Sequence, residues 1–205
     1  MIKDIIDIKI LRISNMSQTP KLDTDFVTIY KNNLDSKHLI GLIELVNKES
    51  YKFKIVERRP HLTMELPVVH NEEDNHAAIE LRSIFNNILH ESLIDFLKRK
   101  NIKRVKQSML NNNYISVSKM IVGTPQMDVH KDLNEDSPLT DSFIAMLYVN
   151  DNFDNGELYF PDNDFIYKPQ AGDMVYYKRS VSHGVNVVTS GERYTIGCGF
   201  LGPIV

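Results

Sequence analysis

The second half of this chain is built on a two-residue rhythm, and that rhythm constrains its fold more than any other feature. After residue 107 short alternating runs follow one another: "YISVSKMIV" (114–122), "SFIAMLYVN" (142–150), "GELYFP" (156–161) and "DFIYK" (164–168). They continue through "DMVYYK" (173–178), "HGVNVV" (183–188) and "RYTIGCGF" (193–200). The separators "DNFDNG", "PDND", "PQAGD" and "TSGE" are rich in residues that accept tight turns. A two-residue period gives each strand one face toward a core and one face away. So many short strands in succession predict two packed sheets, as in a sandwich or jelly roll.

The first half has a different period. In "DSKHLIGLIELVNKES", Leu39, Leu42, Ile43 and Val46 recur at helical spacing behind a cap at Ser36 or Asp35. From Asn75 to Lys100 a longer helix is predicted, with Leu81, Ile84, Phe85, Ile88, Leu89, Phe96 and Leu97 on one stripe. Between them "YKFKIVERRPHLTMELPVV" reads as short strands and loops. The expectation is one α+β, mainly β domain over 1–205, with a supporting region at 1–106 and a jelly-roll core at 107–205. The N-terminal helices would pack on one sheet.

Charge excludes some partners. The net charge of -3 gives no general signature of nucleic-acid binding, so none is expected. Lys98, Arg99, Lys100, Lys103, Arg104 and Lys106 form a local basic run, read as a solvated helix end followed by a loop. Cys198 is the one cysteine, which precludes an intrachain disulfide and suggests a reducing compartment. The apolar N-terminus is broken by Asp4, Asp7 and Lys9, unlike a signal peptide or a membrane span. A cytoplasmic protein with no membrane partner is expected.

The stretch "MDVHKDLNEDSP" (127–138) puts His130 and Asp132 two positions apart. On extended backbone both side chains share a face, so an imidazole and a carboxylate can meet one ion. The β half holds one further histidine, His183. Two histidines and one carboxylate leave about three coordination positions open, which suits non-heme Fe(II). A closed structural zinc site would call for four protein ligands. A polar surface loop is the plain alternative for "VHKD" taken alone.

Arg193 lies ten residues after His183. If "TSGE" joins two neighbouring strands, Arg193 comes alongside the histidine strand and points inward. A buried guanidinium needs an anion, and its planar fork matches a carboxylate. Thr195 shares the face of Arg193, and Tyr148 in "LYVND" can add a phenolic donor. An internal salt bridge is the structural alternative.

Together "HKD" at 130–132, "YVND…NGELYFP" at 148–161, "AGDMVYY" at 171–177 and "HGVNVVTSGER" at 183–193 resemble the Fe(II)/2-oxoglutarate-dependent dioxygenases, in their prolyl-4-hydroxylase-like branch. The resemblance implies a double-stranded β-helix, the cupin-like form of the jelly roll. It implies that His130, Asp132 and His183 hold iron. Arg193 would bind the distal carboxylate of 2-oxoglutarate, with Thr195 and Tyr148 adding hydrogen bonds. It also implies O2 as co-reactant and ascorbate as a reductant. The reaction implied is hydroxylation of a prolyl residue in a protein or peptide, with release of succinate and CO2. A free amino acid or small metabolite is the alternative substrate, and a non-catalytic metal-binding jelly roll is the alternative class.

Two departures from the family pattern stand out. Met120 occupies a place where many prolyl hydroxylases carry tyrosine, and Asn155 replaces the first glycine of a G-G-E turn. Asparagine tolerates left-handed backbone, so the turn is expected to survive. The segments 50–73 and 133–141 are candidate lids, with Arg58 and Arg59 in the first.

Overall fold

Alternation in the sequence becomes two facing sheets in the computed structural model, which describes residues 19–31, 36–48, 54–55, 62–67, 76–102, 114–133 and 142–200. The N-terminal part runs β1 (Leu22–Asp23), β2 (Val27–Lys31), α1 (Ser36–Lys48), β3 (Lys54–Ile55), β4 (Leu62–Pro67) and α2 (His76–Arg99). Then come β5 (Tyr114–Ile121), β6 (Met127–His130), β7 (Phe143–Tyr148), β8 (Phe153–Asn155) and β9 (Leu158–Phe160). The chain continues through β10 (Phe165–Tyr167), β11 (Asp173–Lys178), β12 (His183–Val185) and β13 (Val188–Phe200).

Among the described residues the larger sheet has the order β1-β2-β11-β7-β13-β5-β4-β3, with β8 on β13, and the smaller has β10-β9-β12-β6. The pairs are antiparallel throughout. Residues such as Val175, Tyr177, Phe160, Leu158 and Val185 fill the space between the sheets. The larger sheet's other face packs on both helices, as expected, through Ile196, Phe200, Phe143 and Tyr176.

α2 makes the main helix contact. Phe96 stacks on Tyr176 with ring centroids 4.5 Å apart and meets Phe143 edge-on at 4.7 Å. Ser92 and Tyr176 share a buried hydroxyl–hydroxyl bond of 2.6 Å, so the tyrosine's polar end is satisfied. Each such large side chain contributes roughly 1.5–3 kcal/mol through burial. The helix stops at Asn101, whose φ of 53° is left-handed. Asn101 N–H donates to the Lys98 carbonyl at 3.1 Å and Ile102 N–H to that of Leu97 at 2.9 Å. This paired closure is the Schellman arrangement, and Ile102 packs on the core beside it. Arg99 pairs with Asp95 and Lys100 with Asp23, each at 2.5 Å, so this part of the basic run is a helix end. Lys103, Arg104 and Lys106 lie outside the described residues, as do Arg58, Arg59 and most of both candidate lids.

Two expectations need correction. "TSGE" is not a turn between neighbouring strands; it lies inside β13, where Val188–Gly191 pairs irregularly with β8. β12 therefore belongs to the smaller sheet and β13 to the larger, and Arg193 faces the histidines from across the core. The sheet-to-sheet crossing occurs at Asn186 and Val187, which looked like strand in "HGVNVV". Strands β1, β2, β6 and β8 have no counterpart in the sequence reading. β6 and β8 are too short and too polar to show a period: "MDVH" is exposed at its two central residues and "FDN" at its last two. No helix among the described residues is long and apolar enough to cross a membrane.

Candidate metal centre

His130 closes β6 and His183 opens β12, and the two are direct partners across the pair. Their rings lie 4.4 Å apart. Asp132 sits just past the end of β6. Its Oδ1 is 3.7 Å from His130 Nε2 and its Oδ2 is 3.7 Å from His183 Nε2. Those separations are too long for hydrogen bonds. The three groups thus converge without satisfying one another, and their candidate ligand atoms lie within 4.8 Å of each other.

The second nitrogen of each ring settles the tautomer. His130 Nδ1 lies 2.8 Å from the Asp128 carbonyl, and His183 Nδ1 lies 3.0 Å from that of Val181. A carbonyl only accepts, so both Nδ1 atoms donate, which turns the Nε2 of each ring toward the centre as the atom that can serve as a ligand. Burial holds the His183 pKa below its ordinary value, with nearby Asp132 opposing and His130 adding to the shift. His183 is accordingly neutral at physiological pH. Two imidazole lone pairs and one carboxylate on one side of a space form a donor set that fits a divalent metal. The side chain of His183 is 3% exposed, against 38% for His130 and 26% for Asp132, so the centre opens on the β6 side.

Gly184 is required beside it. A Cβ there would lie 2.4 Å from the Tyr159 ring and 2.8 Å from the Met127 carbonyl, so any side chain would push β12 off its neighbours.

Across the core Arg193 is buried, with Thr195 behind it and Tyr148 opposite Thr195 in the β7–β13 register. Arg193 Nη2 donates to the Tyr148 hydroxyl at 3.1 Å, and Nη1 approaches Met120 Sδ at 3.5 Å. The guanidinium also lies 4.9 Å from the centroid of the Tyr148 ring. Arg193 Nε is buried with no partner. Among the described residues no carboxylate pairs with Arg193, so the internal salt bridge is not found there. A cation held dry without an anion is costly, and this one faces the space between the sheets. That is the arrangement expected of a site whose anion comes from outside. Burial raises the Tyr148 pKa, although Arg193 opposes the shift, so the phenol keeps its proton and stays a donor.

The turn before β9 makes room for this arginine. Asn155 and Gly156 both have left-handed φ values, 60° and 68°, so the turn survives the Asn155 replacement as expected. A Cβ on Gly156 would lie 3.1 Å from Arg193 Cδ. Met120, buried beside the guanidinium, offers it only a weakly accepting sulfur.

Sequence reasoning overlooked two groups. Asp173 is fully buried and accepts from the Tyr167 hydroxyl and, at 3.0 Å, from Gln170 N–H. Its sequence signal was the "AGD" turn, which gave no hint that the carboxylate points inward. Arg179, four residues before His183, bonds to the main chain of Asp132. Cys198 is buried and its thiol pushed up to about 12, consistent with a strand residue and not a nucleophile. His90 lies half-buried on α2, away from the centre.

No family model matches the sequence, and no curated protein matches it. Solved structures of 2-oxoglutarate/Fe(II) oxygenases do match it in fold, the double-stranded β-helix. One is a prolyl-4-hydroxylase from Pseudomonas putida, with a TM-score of 0.61 and 14% identity, matching 86% of this chain and 91% of that one. A prolyl hydroxylase from Trichoplax adhaerens, in complex with a hypoxia inducible factor oxygen degradation domain peptide fragment, gives 0.59 and 18% over 87% and 84%. The alpha ketoglutarate dependent carbocyclase SnoK from nogalamycin biosynthesis gives 0.58 and 15% over 86% and 79%.

Proposed function

We propose that this protein is an Fe(II)- and 2-oxoglutarate-dependent hydroxylase acting on a prolyl residue in a protein or peptide. The observation that carries the reading is the pairing of two features across one core. On the smaller sheet stand two histidine lone pairs and a carboxylate; on the larger stands a buried arginine with no carboxylate partner among the described residues. His130, Asp132 and His183 would hold the metal, and Arg193 would take the distal carboxylate of 2-oxoglutarate, with Tyr148 and Thr195 donating to it. When bound, Fe(II) with 2-oxoglutarate and O2 supplies the oxidising chemistry that hydroxylates a C–H bond and releases succinate and CO2.

The chain's own residues provide position and protection. The Asp128 and Val181 carbonyls keep both imidazoles in the metal-binding tautomer. Arg193 and Tyr148 orient an anionic cosubstrate by charge and by hydrogen bonding. Leu158, Phe160, Val175 and Val185 exclude water from the space behind the centre.

A polypeptide substrate is supported by the opening beside His130, on the outer strand of the smaller sheet among the described residues, and by analogy with the neighbour in fold that is in complex with a peptide fragment. The small-molecule reading rests on SnoK, whose fold is shared equally well. Ascorbate as reductant and a cytoplasmic location belong to the same proposal. Succinate formation from 2-oxoglutarate, measured with Fe(II) and candidate prolyl peptides against free proline, tests it. No succinate with any substrate would leave only a metal-binding jelly roll.

A further inference from the structure

Asp132 lies outside any strand, yet its carboxylate is one third of the candidate centre. What holds it is the turn between β11 and β12. The main-chain N–H groups of Asp132 and Leu133 both donate to the carbonyl of Arg179, at 2.9 and 3.1 Å. The Arg179 side chain closes the ring from the other side, where Nη2 donates to the Asp132 carbonyl at 3.0 Å. Both main-chain polar groups of Asp132 therefore bond to one residue.

That turn is itself anchored. Arg179 N–H donates to the Ser142 carbonyl at 3.0 Å, and Val181 N–H to that of Lys178 at 3.2 Å. The Val181 carbonyl then receives His183 Nδ1–H. Residues 179–183 thus fix two of the three ligands, one by tautomer and one by backbone. The guanidinium is committed to the interior: its Nε is buried without a partner, and its Nη1 lies 3.8 Å from where a Cβ on Gly199 would stand.

We propose that Arg179 is a positioning residue for Asp132, its carbonyl and its guanidinium together aiming the carboxylate at His130 and His183. The inference rests on the reading of that triad as a metal centre. Bonding the amide and the carbonyl of Asp132 restrains the main chain on either side of its Cα, which leaves the carboxylate little but its own side-chain rotation. Substituting Arg179 removes the guanidinium and leaves the main-chain carbonyl, so the clamp is halved, not abolished. Partners that orient metal ligands are worth about 10–100-fold in metal affinity.

Co(II) alone, titrated under argon and followed by visible absorption, is the probe. The proteins are wild type, Asp132→Ala, Arg179→Gln and Arg179→Lys, with thermal midpoint and hydrogen exchange of the Asp132 and Leu133 amides measured on metal-free samples. The expected result for Arg179→Gln is Co(II) affinity lower by about 10–100-fold, faster exchange at both amides and an unchanged midpoint. Lysine, with one compact charge and no fork, restores part of the affinity. Asp132→Ala loses more than either. An Arg179→Gln protein that binds Co(II) like wild type, while Asp132→Ala does not, overturns the proposal. Equal binding by wild type and Asp132→Ala sinks the metal-centre reading instead, and amide exchange then decides the clamp by itself. If the glutamine variant does not fold, the lysine variant decides: full wild-type affinity and exchange overturn the proposal, and an intermediate loss supports it.

Discussion

β13 shows both characters of this molecule on one strand. Its even-numbered residues Tyr194, Ile196, Cys198 and Phe200 join the cluster packed under the helices. Its odd-numbered residues Arg193, Thr195, Gly197 and Gly199 face the smaller sheet. The first face is apolar and closed. The second carries a buried cation, a buried hydroxyl and two positions with no side chain at all. No residue type could serve both, because the two-residue period assigns every side chain to one side or the other. The difference teaches that stability and chemistry are separable here residue by residue: one face holds the sheet on its helices, and the other leaves space and charge for a ligand.

The separation breaks most visibly at the cavity side. Asp132→Ala should abolish succinate formation and weaken metal binding, while the thermal midpoint of the metal-free protein stays close to wild type. Coupled succinate assay and calorimetric metal titration check both parts. Full turnover with unchanged iron would show that the carboxylate ligand lies elsewhere.

The helix side should do the opposite. Phe200 is almost fully buried and stacks on Phe143 with centroids 4.7 Å apart. Phe200→Ala should cost about 3–5 kcal/mol of folding stability, by lost transfer and an unfilled cavity. The folded fraction should bind 2-oxoglutarate as wild type does. Urea unfolding gives the first quantity and ligand titration below the transition gives the second. A large, selective loss of cosubstrate affinity would mean that the two faces are coupled.

Arg193→Met sharpens the contrast, because it changes the charge and keeps much of the bulk. Losing one partner of a buried, hydrogen-bonded charge pair costs about 2–5 kcal/mol, or roughly 30- to 4,000-fold in 2-oxoglutarate binding. The protein without cosubstrate should be as stable as wild type or more so, since the cation has no carboxylate partner among the described residues. The charge-transfer band of anaerobic Fe(II) protein titrated with 2-oxoglutarate reports the affinity. Wild-type affinity in a folded Arg193→Met protein would remove this residue from the site.

Much of this was legible in the sequence because the signals were periodic or chemically rare. The stripe of α2 and the alternation of β11 follow directly from residue spacing, and β11 begins and ends at the expected residues. His130 and Asp132 stood out by their two-residue spacing, His183 as the one further histidine of the β half, and Arg193 by its expected inward position. What escaped was local and short. β6 and β8 are three or four residues long, with no room for a period. The sheet change after Val185 is hidden because "HGVNVV" alternates no differently on either side of the crossing. Arg179 reads as one more surface charge next to Lys178, since main-chain bonds to Asp132 leave no trace in residue type.

The smallest effect is expected at Glu192, where the helix-side face of β13 reaches solvent. Its carboxylate accepts from the Tyr194 hydroxyl at 2.5 Å and pairs with Lys119 at 2.9 Å. The Tyr194 bond holds its pKa below the ordinary carboxylate value; burial opposes this, and Lys119 adds to it. A carboxyl whose folded pKa is depressed binds fewer protons folded than unfolded. Its contribution is therefore present above the ordinary carboxylate range, near 4.3 for glutamate, and disappears as pH falls through the lower folded value. The side chain is 48% exposed, so solvent screening keeps the contribution to within about 1 kcal/mol. Glu192→Gln should thus be slightly less stable than wild type at pH 7, and the gap should close as the pH is lowered below 4. Urea midpoints of both proteins at pH 7, 5 and 3.5 measure it. A gap that stays constant across that range would mean that shape and hydrogen bonding, not charge, link Glu192 to Tyr194. Any change in cosubstrate affinity would place this residue on the wrong side of the comparison.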